Sequence, residues 1–441
     1  MPNTYIQRTP SGGNRKKWTW SAWVRFTDVV STNRYLWSGY SASNNTGYLQ
    51  AYFHNDSQLN IGAWNVTYLN TTRLFRDPSA WYHIVIAMDT AQATASNRLK
   101  VYVNGVEETV FDTDSRSSIS QDSDMGYNSN GIHTIGGYQS SGSANGGWNG
   151  LMSHVHFTDG YAYTPSSFGS TDATTGEWKI NTSPSVSYGT TGYWIFKNDA
   201  GVTDQSPNSN NWTASGNLIP TQDNPSNVFA TLNPLSSGSS MTFTNGNTGF
   251  LTSGTWESAP TTLAMSSGKY YCEFKPTSVL GSGNSFMMFG VEAPKNVSAW
   301  INNYPGYTST GYAYGWDGDK RNNAGTSSYG NSFSQNDIIG IALDMDNKKL
   351  YFHKNGTYQN SGVPTSGSTG TGALPLTEDE YYFVVSGYNN GANATCKSNF
   401  GNGYFGTAAV SSAGTNASNN GIFEYDVPTG YTALSTKGLN L

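Results

Sequence analysis

Charge is scarce in this 441-residue chain: Asp, Glu, Lys and Arg make up 12% of it, about half the share of an ordinary globular domain. Long amphipathic helices need a charged face and uninterrupted helix formers. The scarcity, together with 50 scattered glycines, excludes an all-α or doubly wound α/β protein. Basic clusters are lacking too. Arg15-Lys16-Lys17 reads as a solvated strand end, and 23 basic against 29 acidic side chains leave a net charge of −6, so nucleic acid is excluded as a partner. Apolar runs such as 84–88 are far too short to span a bilayer, and no membrane insertion is expected. Residues 1–6 show neither the basic region nor the apolar core of a secretion signal, which leads to the expectation of a protein made in the cytoplasm that stays there or leaves by lysis. Two cysteines, Cys272 and Cys396, cannot staple a chain of this size. They read as small core residues on neighbouring strands, with a disulfide left open.

Aromatic residues are abundant: 13 Trp, 29 Tyr and 19 Phe. That much burial potential offsets chain entropy and argues against disorder. The pattern is of strands. Trp18, Trp20, Ala22, Val24 and Phe26 alternate with mostly polar neighbours, the period of a half-buried strand. The run 81–89 is apolar throughout, as in a central strand covered on both faces. Leu99, Val101 and Val103 return at period two and meet Asn104-Gly105, a pair suited to a turn that needs positive φ twice. The plan repeats in 337–356, where a buried strand ends in Asp344, a return strand follows, and Asn355-Gly356 turns again. Between the two halves, 216–241 is rich in Pro, Ser and Gly and reads as a connection, with Val228, Phe229, Leu232 and Leu235 able to dock as an edge segment. The expectation is all-β: two tandem antiparallel β-sandwiches, jelly-roll-like and with long loops, over 1–220 and 221–441.

Two resemblances attach to these residues. Trp18-Thr19-Trp20-Ser21-Ala22-Trp23-Val24, Trp81-Tyr82-His83-Ile84-Val85, Leu99 to Gly105, Trp148 to Val155 and Asp204 to Asn211 resemble the laminin-G and concanavalin-A-like lectin/glucanase superfamily. Gly268 to Phe274, Phe289-Gly290-Val291, Tyr314-Gly315-Trp316, Asp337 to Gly356 and Asn399-Phe400-Gly401 resemble a SPRY domain. Both resemblances imply sandwiches that bind through loops. The order of the two modules, joined by Gln222 to Pro234, resembles virion proteins of marine bacteriophages: tail fibres, receptor-binding proteins and capsid appendages. That resemblance implies location in the virion, other virion proteins as partners, and release by lysis without a signal.

The chemistry that each residue set can carry is limited. Glycoside hydrolysis needs two carboxylates flanking the scissile bond. Glu378-Asp379-Glu380 diverge around a turn and Glu107-Glu108 lie outward, so no enzyme and no cofactor is expected. His154 and His156 share a strand face without a third metal ligand and read as hydrogen-bonded sheet residues. Asp112, Asp114, Asp122 and Asp124 offer oxygens of the kind calcium takes, but the 12-residue EF-hand pattern is absent and the loop reads as a solvated acidic one, so no metal is expected. Sugar recognition rests on aromatic rings for the apolar pyranose face and polar groups for its hydroxyls. Trp300, Tyr304, Tyr307, Tyr312, Trp316 and Asp317 have that mixture, as do Tyr138 to Trp148 and His54 to Trp64. The loop aromatics Trp300, Tyr304 and Tyr307 are the foremost candidates. The expected function is a non-enzymatic phage virion protein binding a host-surface glycan or receptor as a homo-oligomer, whose copies multiply weak contacts. The alternatives are a capsid-decorating protein making only protein contacts and a polysaccharide depolymerase.

Overall fold

Strands make up 43% of the chain and helix 6%, as the period-two patterning predicts. The structure, a computed structural model, describes residues 4–440 apart from 28–31, 78–79, 141–142, 146, 198–200 and 282. Two compact units divide it, Met1–Ser226 and Asn227–Leu441. Each is a β-sandwich.

In the first unit an eight-stranded sheet runs in the order Phe111–Asp114, Val66–Leu74, Gln58–Ala63, Tyr48–Phe53, Arg34–Tyr40, Ile132–Ile135, Tyr5–Arg8 and Thr213–Ser215. A six-stranded sheet faces it, ordered Tyr193–Ile195, Gly150–Asp159, Lys17–Phe26, Trp81–Asp89, Leu99–Val103 and Val106–Glu107. Trp18, Trp20, Ala22, Val24 and Phe26 all enter the core, where they meet Trp37, Leu49 and Phe53 of the opposite sheet. Because side chains alternate across a strand, Thr19, Ser21, Trp23 and Arg25 are turned to the other face. They are buried as well, and so is most of Trp81–Asp89. The segment 160–190 covers that outer face, laying Phe168 against Val85, Ala87 and Tyr102.

The second unit repeats the scheme. Its larger sheet carries Lys269–Pro276, Ile339–Asp344 and Lys349–Lys354 at its centre, with Ala394–Asn399 beside the first of these. The smaller sheet is ordered Glu257–Pro260, Tyr382–Asn389, Ser285–Glu292, Gly311–Gly315, Asp319–Asn322 and Gly325–Ser328. The chain after residue 404 seals the outer face of the larger sheet, where Phe423, Val427 and Tyr431 pack on Tyr271, Ala342 and Tyr351. Phe229 and Leu232 dock by single bridges to Ser435 and Thr261, whereas Leu235 stays 75% exposed.

The two hairpin plans match. Trp81–Asp89 pairs antiparallel with Leu99–Val103, as Ile339–Asp344 does with Lys349–Lys354. Both Asn-Gly turns have two positive φ values, 48° and 83° at Asn104-Gly105, and 49° and 81° at Asn355-Gly356. Cys272 and Cys396 sit on adjacent strands as expected, but the register sets Cys396 opposite Pro276. Both thiols are free, and burial pushes their pKa up.

Candidate functional site

Among the described residues each unit leaves one sheet face without a strap; Tyr138 lies on that of the first unit, and Tyr304, Tyr307 and Trp316 lie on that of the second. In Ser285–Glu292 the core takes Met287, Phe289 and Val291, so Phe286 points outward with Met288 and Glu292. Tyr388 is its partner on the neighbouring strand, with ring centroids 5.7 Å apart. Trp316 stacks on Phe286 at 4.3 Å, and Trp256 approaches Tyr388, Trp316 and Tyr304 at 5.3–6.0 Å. Tyr307 stands at right angles to Tyr304, 5.6 Å away. Five of these rings are half-buried and Tyr307 is exposed, so they make one continuous aromatic surface.

The loop that brings Tyr304 and Tyr307 onto this face is tied down from beneath. Glu292, fully buried, accepts the Gly306 N–H at 2.7 Å and the hydroxyls of Thr310 and Thr308 at 3.0 and 3.3 Å. Burial pushes its pKa up to about 7 although these hydrogen bonds oppose the shift. The Asn303 carbonyl accepts from Ser258 and Ser386 hydroxyls at 2.9 and 3.3 Å. A Cβ on Gly306 would lie 2.3 Å from the Arg321 carbonyl, and its φ is +79°, so the close approach of loop to sheet requires glycine there.

Three of the sequence candidates need correction, the foremost of them Trp300. Trp300 is not a surface residue: it is 1% exposed and its indole N–H donates to the Lys295 carbonyl at 3.1 Å. A short helix, Val297–Trp300, turns the ring inward where the sequence alone reads as loop. Tyr312 shares its side of the strand with the core residue Tyr314 and packs half-buried against the core; Trp316 also touches the core, but it stacks on the surface ring Phe286, which Tyr312 does not among the described residues. Trp148 closes the edge of the first core, against Phe26 at 5.5 Å and Phe53 at 6.1 Å. Asp317 flanks the aromatic surface but is engaged by Arg321, whose guanidinium carbon lies 6.0 Å from the centre of the Trp316 ring. Tyr304, Tyr307 and Trp316 are brought together. Trp256, Phe286 and Tyr388 join them unanticipated; in Phe286-Met287-Met288-Phe289 all four residues are apolar, and the pattern does not say which pair faces out.

Tyr138 belongs to the open face of the first unit. It lies on the hairpin Tyr138–Ser140/Ser143–Asn145 and packs on Tyr35 at 4.4 Å, which stacks on Tyr52 at 5.1 Å. Gln50, Asn60 and Asn70 continue outward-facing rows of this sheet. The Gln139 amide nitrogen donates to the Thr134 hydroxyl at 2.7 Å, while its oxygen has no partner. Gln139 and Asn60 are buried, so the accessible part of this face is the half-buried phenol rings of Tyr35, Tyr52 and Tyr138 with the carboxamides of Gln50 and Asn70.

The acidic and histidine sets go elsewhere. Asp112 meets Gln58, Asp114 pairs with Arg116, and Asp124 lies 3.7 Å from Arg15, so these carboxylates are held apart by separate partners. Glu107, Glu108, Glu378 and Asp379 are likewise held by Lys100, Arg73, Lys295 and Lys348 respectively. His154 and His156 bond to the Ser153 and Tyr188 hydroxyls at 2.8 and 2.9 Å. Among the described residues no group of three or more His, Cys, Asp or Glu is set to hold a metal ion.

Parts of the chain are similar to known proteins. A curated relative, the dual specificity protein kinase splA of Dictyostelium discoideum, is 35% identical over 111 residues; these are 24% of this chain and 4% of the relative's length. Among solved structures, stonustoxin is 14% identical, with 38% of this chain and 27% of that one covered and a TM-score of 0.29. The SPRY domain of human HERC1 is 20% identical over 38% of this chain and 96% of that one, with a TM-score of 0.30. Residues 3–167 match the concanavalin A-like lectin/glucanases superfamily and residues 269–403 match the SPRY domain family. The chain therefore carries a laminin-G/concanavalin A-like lectin domain followed by a SPRY domain.

Proposed function

We propose that this is a non-enzymatic structural protein of a phage virion that binds a host-surface glycan or receptor through exposed aromatic side chains. The observation that carries the reading is the surface formed by Trp256, Phe286, Tyr304, Tyr307, Trp316 and Tyr388, which a folded domain gains nothing by leaving half-exposed. Contiguous apolar surface of this kind marks a binding site. Pyranose rings stack on such planes, and the tyrosine and carboxamide face of the first unit supplies a second surface of similar chemistry. The order of a lectin-like and a SPRY domain supports the virion setting. Several copies in a symmetric homo-oligomer alongside other virion proteins would raise weak single contacts to useful avidity.

The test is attachment of the pure protein to host cells, with the Trp256→Ala/Trp316→Ala variant beside it. Attachment that falls while the melting temperature holds supports the reading; unchanged attachment overturns it. Release of new reducing ends from host polysaccharide would replace it with a depolymerase.

A further inference from the structure

The first unit's six-stranded sheet holds three neighbouring histidines, of which His83 and His156 touch the 160–190 strap and His154 lies beside His156 at 6.5 Å. His83 is clamped between two indoles, Trp23 at 4.8 Å and 20° and the strap's Trp178 at 5.9 Å and 19°. The Trp178 indole N–H donates to His83 Nδ1 at 2.9 Å, and His83 Nε2 meets the Ser21 hydroxyl at 2.9 Å. An indole nitrogen donates only, so Nδ1 must be unprotonated while this bond exists. At the other end of the strap, the Tyr188 hydroxyl bonds His156 Nδ1 at 2.9 Å. His154 is 1% exposed, has φ of +49°, and its Nε2 has no partner. Trp178 also presses on the Asn104-Gly105 turn, where a Cβ at Gly105 would lie 2.5 Å from the indole ring.

We propose that the 160–190 strap is an acid-released cover: protonation of the histidines beneath it detaches Trp178 and Tyr188 and bares the sheet face. Three geometric facts drive the release. A proton on His83 Nδ1 would point at the Trp178 N–H. A proton on His154 Nε2 would be a buried charge without an acceptor. The third is the charge around the rings. Their polar partners are serine and tyrosine hydroxyls and an indole, and none among the described residues is a carboxylate.

The packed elements contribute mainly neutral, paired or positive groups; the carboxylates near them are Asp204, buried and accepting the Trp194 backbone N–H at 2.8 Å, and Glu177 on the strap beside Trp178. The Lys17–Phe26 strand presents Ser21 and Trp23, with Arg25 paired to Asp223 at 3.3 Å. On the far side of Trp81–Asp89, the Leu99–Val103 strand presents Tyr102 and Lys100, the latter paired with Glu107 at 3.1 Å. The Tyr193–Ile195 strand presents Trp194, followed by Lys197, whose Nζ lies 4.1 Å from the Trp194 ring centre. That ring is 4.9 Å from His156 and 5.9 Å from His154. The strap presents Trp178, Tyr188 and the pair Asp172–Lys179 at 2.7 Å. Burial lowers the pKa of His83 to about 3 and of His154 to about 4, and moves His156 well below its usual range, with Lys197 acting in the same direction on the last two. Released histidines regain their ordinary pKa near 6.5. The open state therefore binds more protons, and the closed state loses ground as pH falls from about 6.5 toward 4.

Hydrogen exchange of the full chain, corrected for the intrinsic pH dependence, tests this. Peptides within 160–190 are expected to lose protection at least tenfold between pH 7.5 and 4.5, while those of Lys17–Phe26 keep theirs. The His83→Gln/His154→Gln/His156→Gln variant, which can still accept from Trp178 and meet Tyr188, is expected to stay protected at pH 4.5. A wild-type strap equally protected at both pH values overturns the proposal, as does a variant that opens with the wild type. Should the variant misfold at pH 7.5, NMR of histidine-labelled wild-type protein decides. Titration of His83 in the same step as strap opening supports release; titration under a closed strap overturns it.

Discussion

The two straps cover equivalent faces with opposite chemistry beneath them. Under 160–190 in the first unit lie His83 and His156, with His154 beside them, bases that burial keeps neutral. Under the C-terminal segment of the second lies Glu273, an acid 0% exposed that accepts the Glu424 and Tyr425 N–H groups at 2.9 Å each and the Tyr271 hydroxyl at 3.0 Å. His353 is its neighbour through Tyr271, at 2.6 Å. Burial raises the Glu273 pKa to about 7 against these hydrogen bonds. A long segment can be held over a sheet by either class of group, and the choice sets the sign of the pH response. The two open faces differ as well. The first pairs tyrosines with carboxamides; the second is a nearly continuous indole and phenyl surface.

The largest effect that would sharpen the contrast between buried and open aromatics comes from Trp300. Trp300→Ala should cost about 3–5 kcal/mol, the cost of emptying a core site of a large ring, and lower the melting temperature in a thermal scan. Next is the pH contrast. Glu273 and Glu292 have folded pKa values above the unfolded one, so they favour folding below about pH 4.5 and withdraw that support as pH rises to about 7. The shift corresponds to something on the order of 3 kcal/mol per carboxyl. The buried histidines of the first unit act oppositely, losing stability as pH falls from about 6.5. His353, lowered to about 3 by burial, partly offsets the carboxyls in the second unit. Hydrogen exchange followed unit by unit from pH 7.5 to 4.5 should therefore find the first unit weakening more; equal weakening would break the comparison.

A smaller effect is expected in binding. Losing Trp256 and Trp316 together should weaken attachment by about 2–3 kcal/mol, roughly 30- to 150-fold, the scale of hot-spot residues. Tyr52→Ala in the first unit, measured in the same attachment assay, should cost about 1 kcal/mol or less if the second unit dominates. Smallest is Tyr307→Ala. With the ring 39% exposed, its stability should change by no more than about 0.5 kcal/mol by denaturant titration. A change as large as that of Trp300→Ala would show that the two rings are not differently placed.

Much of this was readable before any coordinates. The matched hairpins at 81–107 and 339–358 follow from local rules, alternation and the positive φ of Asn-Gly, and they hold in both units. The candidate surface was only partly readable. Tyr304, Tyr307 and Trp316 were found because aromatic residues among Gly, Asn and Pro stand out. Trp300 was misplaced because a four-residue helix leaves no periodic signal, and Tyr312 because parity along a strand names two faces without naming the inner one. Trp256, Phe286 and Tyr388 come from three separate strands or strand ends, and only their pairing brings them together.

By itself, the sequence determined that this chain is built of strands, where several of them turn, and that each half has enough aromatic mass for a core of its own. These properties depend on neighbours two to four residues apart. Only the tertiary structure decided which of the four sheet faces stay open. That choice is made by segments far away in the chain, 160–190 and the residues after 404, whose burial energy is realised only against a sheet already assembled from distant strands.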